Sequence, residues 1–331
     1  MSVVTAPDPT VEELKPALEA VLRRQLDDPH LEVTAVEPIT AGASRGMWLV
    51  EADLATGATE LVLRRDQPDS ADVEIMALEV ALMRAAREAN VPSPAVVAAG
   101  TGDDELGAAY VVMERVRGET LPRRILRDDA FAELRPGLAR ECGAILARLH
   151  RIPVDAVPGL DDTDQLERWR AEYDRYDQPS PTFEVALAWL ARNRPAPRPR
   201  HVVHGDFRNG NLMVGPDGVR AVLDWELSHL GDPAEDLGWL CAPPWRFGHP
   251  LPVGGFGEIA DLLAGYHDAG GVRITPEELH WWIVFATFRW GVLCLYQADR
   301  HRRGSPRSVE LALVGRRVAE VEWDLLHLLD A

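Results

Sequence analysis

The stretch His204-Gly205-Asp206-Phe207-Arg208-Asn209-Gly210-Asn211 sets a carboxylate and an amide five positions apart. Asp224 follows thirteen residues later in Val222-Leu223-Asp224-Trp225-Glu226. Short apolar runs flank both segments, so the three polar side chains read as loop residues at strand ends. Asp, Asn and Asp in that order suit phosphoryl transfer. That reaction asks little covalent help of a protein; it needs an acceptor oxygen aimed in line and phosphate charge neutralised by metal. Asp206 can orient a hydroxyl and accept its proton late. Asn211 adds an oxygen ligand to a Mg²⁺ site without adding charge, and Asp224 supplies a second ligand at the end of a buried strand. A polar turn alone would explain the first pair, with Asp206 capping amides and Asn211 left-handed. It would not explain three such residues in register.

The surrounding pattern indicates what must position them. Residues 10–27 read as an amphipathic helix, followed by strand-like runs at 31–39, 47–54 and 60–65. A helix over 72–89 carries Val73, Met76, Ala77 and Val80 at helical spacing and stops at Val91-Pro92-Ser93-Pro94. Strands at 95–99 and 108–116 complete this half. Helices then dominate: one with an apolar face of Leu138, Cys142, Ile145, Leu146 and Leu149, then 162–177 and 182–192. Strands at 201–204, 212–214 and 219–223 carry the polar loop, and helices at 256–269, 276–299 and 308–329 follow. The expectation is an α+β chain in two lobes. Residues 1–115 form a small antiparallel-sheet lobe with one main helix and a leading helix, and 116–331 form a large, mainly helical lobe. The chemistry is expected in the cleft between them.

Composition narrows the partners. The chain has 331 residues, 46% hydrophobic and 27% charged, which suits a globular protein. A net charge of −18 with no basic block argues against nucleic acid or an anionic membrane. The start, MSVVTAPDPT, lacks the basic segment and apolar run of a signal peptide. Residues 281–296 are apolar but interrupted by Arg289, so a buried helix is expected rather than a span. Cys142, Cys241 and Cys294 are far apart and form no CxxC pair, which indicates neither a disulfide framework nor a zinc site and fits a cytoplasmic protein. Monomer and homodimer stay open. Lys15 is the sole lysine among 35 Lys and Arg, so any task usually given to lysine falls to arginine.

The segments HGDFRNGN, VLDWE and Gly231-Asp232-Pro233-Ala234-Glu235-Asp236-Leu237 resemble the aminoglycoside phosphotransferase family of small-molecule kinases, over roughly residues 35 to 300. VLRR at 62–65, YVVMERVRG at 110–118 and LDWELSHLGDPAEDLGWL at 223–240 are most similar to one branch. That branch includes phosphotransferase domains fused to acyl-CoA dehydrogenases, which act on hydroxyacyl-CoA. The resemblance implies a protein-kinase-like fold and transfer of the γ-phosphate of ATP, with GTP left open, to a hydroxyl of a small substrate. Asp206 becomes the catalytic residue, with Mg²⁺ on Asn211 and Asp224. In the turn Gly42-Ala43-Ser44-Arg45-Gly46, Gly42 and Ser44 would touch phosphate. Arg64 stands where a lysine is usual. Its helix partner is Glu79 or Glu74 by spacing, and counting back from Val91-Pro92 in the family pattern favours Glu79. Met113, Glu114 and Val116 would offer backbone groups to a purine edge, while His204 and Asp236 hold the loop. Trp169, Trp239, Trp245, Trp281, Trp282 and Trp290 are read mainly as helix packing, with an acceptor wall as the alternative.

Three other readings compete. Arg64 in place of lysine would suit a nucleotide-binding pseudokinase without transferase activity, against which the intact Asp206, Asn211 and Asp224 count. A protein kinase is disfavoured, because six residues between Asp224 and Gly231 leave no room for an activation loop. A metallophosphoesterase would need DxH and GNH tripeptides that do not stand in a fitting place.

Overall fold

The computed structural model describes residues 9–39, 46–68, 73–176, 178–304 and 308–330. They divide into two compact units, Met1–Arg117 and Gly118–Ala331.

The first unit opens with helix α1 (Val11–Leu26), started by a capping box. Thr10 Oγ1 accepts from the Glu13 N–H at 3.3 Å, and the Glu13 carboxylate accepts from the Thr10 N–H at 3.0 Å. Leu14, Leu18, Val21 and Leu22, spaced along one helical face, are all buried. Strands β1 (Glu32–Pro38), β2 (Gly46–Leu54) and β3 (Gly57–Arg65) follow, then helix α2 (Val73–Glu88) and strands β4 (Val96–Gly100) and β5 (Tyr110–Glu114). They make one antiparallel sheet in the order β1-β2-β3-β5-β4. Alternation along β3 decides the fate of its two arginines. Leu61 and Leu63 join the α1 residues in one apolar cluster, so Val62 and Arg64 face the other side of the sheet. There Arg64 meets Met76 and Glu79 of α2.

The second unit holds α3 (Pro122–Arg127), α4 (Arg135–Leu149), α5 (Gln165–Asp174) and α6 (Pro181–Arg192), then β6 (His201–Val203), β7 (Leu212–Gly215), β8 (Gly218–Val222) and β9 (His229–Gly231). Helices α7 (Ala234–Cys241), α8 (Ile259–Asp268), α9 (Pro276–Arg303), α10 (Val309–Gly315) and α11 (Val318–Leu329) complete it. β6 pairs with β9 and β7 with β8, both antiparallel. Helices α4 and α8 touch backbone to backbone: a methyl group on Gly143 would lie 2.2 Å from the Leu262 carbonyl oxygen, and one on Gly265 would lie 2.0 Å from that of Arg140. Helix α9 starts on a Thr275–Glu278 capping box and ends at left-handed Gly304. Fourteen of its residues are buried, Arg289 among them. Among the described residues no helix is long and apolar enough to cross a membrane.

Two details depart from expectation. The helix read over 308–329 is two helices, α10 and α11, turned apart at Arg316 and Arg317. Gly315, the last residue of α10, sits against α9, where a methyl would be 2.6 Å from the Ala298 Cβ. The short elements α3 and β9 carry no readable periodicity, being six and three residues long.

All three cysteines are buried. Burial raises the thiol of Cys142 well above its ordinary value and pushes those of Cys241 and Cys294 up to about 12. A raised thiol pKa means less thiolate, so at pH 8 only about one part in 10⁴ of Cys241 or Cys294 is ionised. A thiol-reactive chromogenic disulfide should therefore titrate no cysteine in the native protein at pH 8 and all three after unfolding in guanidinium. Prompt native reaction of any thiol would contradict the buried placement.

Candidate active site

Strands β6 and β9 run side by side, so the loop that follows β6 and the segment that precedes β9 are neighbours. Their backbones meet at Gly205. It sits at φ 78°, and a methyl there would lie 2.2 Å from the Leu227 carbonyl oxygen, so only glycine fits. The β7–β8 hairpin supplies the third strand of chain: Leu212 lies opposite Val222, and one step outward the Leu223 N–H donates to the Asn211 carbonyl at 2.9 Å. Asn211 is thereby set beside the residue preceding Asp224. Asp224 itself has φ 68°, a left-handed conformation that aspartate tolerates better than most residues yet still costs roughly 1–3 kcal/mol. Residues held in such wells cluster at functional sites.

Asp236, in the first turn of α7, is fully buried and braces the loop from inside, as its position suggested. Its Oδ2 accepts from the His204 N–H at 2.8 Å and its Oδ1 from the Gly205 N–H at 2.9 Å. His150 Nε2 donates to Oδ2 at 3.1 Å, and His150 Nδ1 faces the Tyr266 hydroxyl at 3.0 Å. Burial alone would raise the Asp236 carboxyl; the hydrogen bond and charge of His150 hold it below its usual range. His204 is also fully buried, and burial lowers its ring below the ordinary histidine value. Its Nδ1 accepts from the Asp206 N–H at 3.1 Å, so Nε2 carries the proton and donates to the Leu223 carbonyl at 3.1 Å. One imidazole thus ties the residue bearing the carboxylate to the residue before Asp224.

The Asp206 carboxylate is held by three donors. Trp239 Nε1 reaches Oδ1 at 2.7 Å, Arg208 Nε reaches Oδ1 at 3.0 Å, and Asn211 Nδ2 reaches Oδ2 at 2.6 Å. Asn211 Nδ2 also donates to the Asp206 carbonyl at 3.0 Å. Both amide protons of Asn211 are spent on Asp206, which leaves the side-chain carbonyl oxygen as its acceptor. An amide oxygen and a strand-end carboxylate are hard-oxygen ligands of the kind that suit Mg²⁺ when phosphate oxygens complete the shell. Among the described residues no group of three or more His, Cys, Asp or Glu is placed to hold a metal by itself. Glu226 is exposed.

Within the first unit, Arg64 is ion-paired to Glu79, which is 2% exposed, whereas Glu74 is exposed. Arg64 Nη2 also lies 3.6 Å from Met76 Sδ, and its Nε is buried with no hydrogen-bond partner among the described residues. Arg65, on the opposite face of β3, donates to the Leu106 carbonyl at 2.8 Å and is structural. The Glu114 N–H is used by the Ala95 carbonyl at 2.9 Å and the Arg115 N–H by that of Glu60 at 3.0 Å. Met113 is buried, Glu114 exposed and Val116 half-buried. Gly42 and Ser44 lie outside the described residues.

Sequence reasoning missed Arg208, Trp239, Arg289 and His150. Arg208, two positions after Asp206, was the most visible; its guanidinium lies 4.6 Å from the centre of the Trp245 ring. Five of the six tryptophans first read as packing are buried, and Trp290 is half-buried. Trp239 packs and bonds the carboxylate as well, which composition cannot reveal.

Residues 35–282 match the model of the phosphotransferase enzyme family. The chain is 31% identical over 178 residues to mouse acyl-CoA dehydrogenase family member 10, a match covering 49% of this chain and only 16% of that protein. It is similar in structure to a Ralstonia eutropha protein provisionally assigned as an aminoglycoside phosphotransferase, with TM-score 0.74, 25% identity, and coverage of 95% of this chain and 97% of that one. It shares its fold with aminoglycoside 2'-phosphotransferase-IIIa, solved as a GDP complex, at TM-score 0.65 and 17% identity over 94% of this chain and 99% of that one. The fold is protein-kinase-like.

Asp236→Asn keeps the side chain's shape but turns an NH₂ toward a backbone N–H and removes the charge that His150 faces. Breaking a buried, hydrogen-bonded charge in this way costs about 3–5 kcal/mol. The urea midpoint should fall accordingly with an unchanged slope. A midpoint within error of the parent would show that Asp236 does not brace the loop.

Proposed function

This chain belongs to the phosphotransferase enzyme family, and we propose that it is an ATP- and Mg²⁺-dependent kinase transferring the γ-phosphate to a hydroxyl group of a small molecule. One observation carries the reading: a buried carboxylate held by three donors, with the Asn211 amide oriented by that same carboxylate and Asp224 two residues along the chain from the hairpin end. A carboxylate so held is fixed in place as a positioner, which is what a loose phosphoryl-transfer transition state asks for.

Asp206 accepts the hydrogen bond of the substrate hydroxyl and aims its oxygen. As the bond from that oxygen to the γ-phosphorus forms, the bond from phosphorus to the β,γ-bridging oxygen breaks and ADP leaves with the electron pair. The hydroxyl proton passes to the Asp206 carboxylate late in the step and from there to water. Asn211 Oδ1 and the Asp224 carboxylate are the residues that would hold Mg²⁺, whose charge offsets that of the phosphates. Arg64, set by Glu79 and with its buried Nε unsatisfied, is assigned to a phosphate oxygen; a planar fork replaces the compact ammonium. For the purine edge, the Glu114 N–H is already given to the Ala95 carbonyl and Met113 is paired with Val62 in the sheet, so the Glu114 carbonyl is the proposed acceptor and the Val116 N–H the proposed donor, with Met113 beside them. Gly42 and Ser44 are proposed phosphate contacts on the sequence alone.

The acceptor is best sought by ATP consumption across hydroxylated compounds, with hydroxyacyl thioesters and aminoglycosides both included and GTP run beside ATP. Asp206→Ala should cut turnover roughly 10²–10⁴-fold while nucleotide affinity stays close to that of the parent. Equal turnover would remove the proposed role; tight nucleotide binding with no transfer to any acceptor would favour a pseudokinase.

A separate experiment addresses the metal. Asp224→Ala should weaken ATP binding at least tenfold, about 1.4 kcal/mol, when Mg²⁺ is present and leave metal-free binding unchanged by calorimetry. Unaltered Mg²⁺ dependence would exclude Asp224 as a ligand.

A further inference from the structure

Helix α7 bonds the catalytic loop twice, through Asp236 to its backbone and through Trp239 to the Asp206 side chain. Glu235 and Trp239 are four residues apart and so share a face of that helix. Arg289 of α9 lies along this face. Its Nη1 donates to Glu235 Oε1 at 3.3 Å, and its guanidinium carbon is 4.3 Å from the centre of the Trp239 ring and 5.1 Å from that of Trp169. Glu235 Oε2 accepts from His229 Nε2 at 3.1 Å. All of these groups are buried, Arg289 and Trp239 to 2% exposure.

A buried arginine is an expensive way to fill space, since an apolar side chain of like volume would pack without the loss of hydration. Burial indeed pulls the Arg289 pKa down, against the opposing charges of Glu235 and Asp206. What an apolar replacement could not do is act on the indole. A cation over the face of an aromatic ring draws on its electron density, and polarised donors in a low-dielectric interior make stronger hydrogen bonds. Of the three donors to Asp206, Asn211 is assigned to metal and Arg208 is partly exposed. Trp239 alone is rooted in the interior with no assigned duty toward a ligand.

On the phosphotransfer reading above, we propose that Trp239 is a positioning residue for Asp206 and that Arg289 acts through it by strengthening and orienting the indole N–H. The pair sets the carboxylate for the acceptor oxygen and plays no part in holding nucleotide. Misplacement of a reacting group by about 1 Å can cost on the order of 10²-fold in rate, so the effect falls on kcat.

The test uses the full chain with Mg²⁺ and ATP, water serving as acceptor so that no substrate need be known. Trp239→Phe keeps the ring and removes the N–H; kcat for ATP hydrolysis should drop roughly 10- to 100-fold, with KM for ATP changed less than about threefold. Arg289→Met should lower kcat in the parent and add nothing in the Trp239→Phe background, while Arg289→Lys should restore most of the loss. A role in stability alone would move Tm and leave kcat in place, and additive losses would place Arg289 outside the Trp239 route; either result overturns the proposal. Should Arg289→Met fail to fold, Trp239→Phe and Arg289→Lys still decide it. Asp206→Ala, run in parallel, separates the two levels: loss there with none in Trp239→Phe overturns only this inference, and no loss in Asp206→Ala overturns both.

Discussion

The second unit is organised around one buried negative charge. Asp236 has no exposed surface, and an ionised carboxylate in that setting survives only if its lone pairs are filled by donors of good geometry. The backbone N–H groups of His204 and Gly205, together with His150, fill them. The requirement runs both ways. The carboxylate needs those donors, and two consecutive amides pointing inward dictate the sharp path of the chain at Gly205, where a side chain would strike the Leu227 carbonyl. Asp206 leaves that turn aimed where it is because the turn has no alternative course.

From this anchor the site propagates through neutral contacts rather than further charge. His204 stays neutral because it is buried, and neutrality gives it one acceptor and one donor nitrogen. A protonated ring would have two donors, one of them facing the Asp206 N–H. The Asn211 carbonyl then takes the Leu223 N–H, so the ladder of the hairpin sets the course of the chain one residue before Asp224. Its left-handed backbone is the residual strain of turning out of that hairpin within one residue.

Much of this was legible in the sequence. The order Asp206, Asn211, Asp224 is local, and short apolar runs fix the strands that carry it. The antiparallel character of the first unit followed from closely spaced strands with glycine turns, and period-two alternation on β3 separates Arg64 from Arg65 once the sheet's apolar face is known. What failed to show was long-range or chemically ambiguous. His150 and Asp236 are 86 positions apart. Trp239 looks like any helix-packing tryptophan until its indole edge is seen on Asp206. Glu74 and Glu79 both flank the apolar stripe of α2, and only the depth to which the helix is sunk distinguishes the buried carboxylate from the exposed one.

Why an arginine serves at position 64 can be argued from the same geometry. An ammonium on β3 would place one compact charge between Glu79 and any phosphate, sharing three equivalent protons. A guanidinium divides the work by atom. Nη2 faces Glu79 and Met76, while Nε is left buried and unsatisfied. Leaving a charged donor dry and unpaired is unfavourable, commonly by 1–3 kcal/mol or about that order, and an anion that satisfies it recovers the loss on binding. In a chain with a single lysine, the phosphate contact proposed for Arg64 therefore falls on a nitrogen that Glu79 does not use.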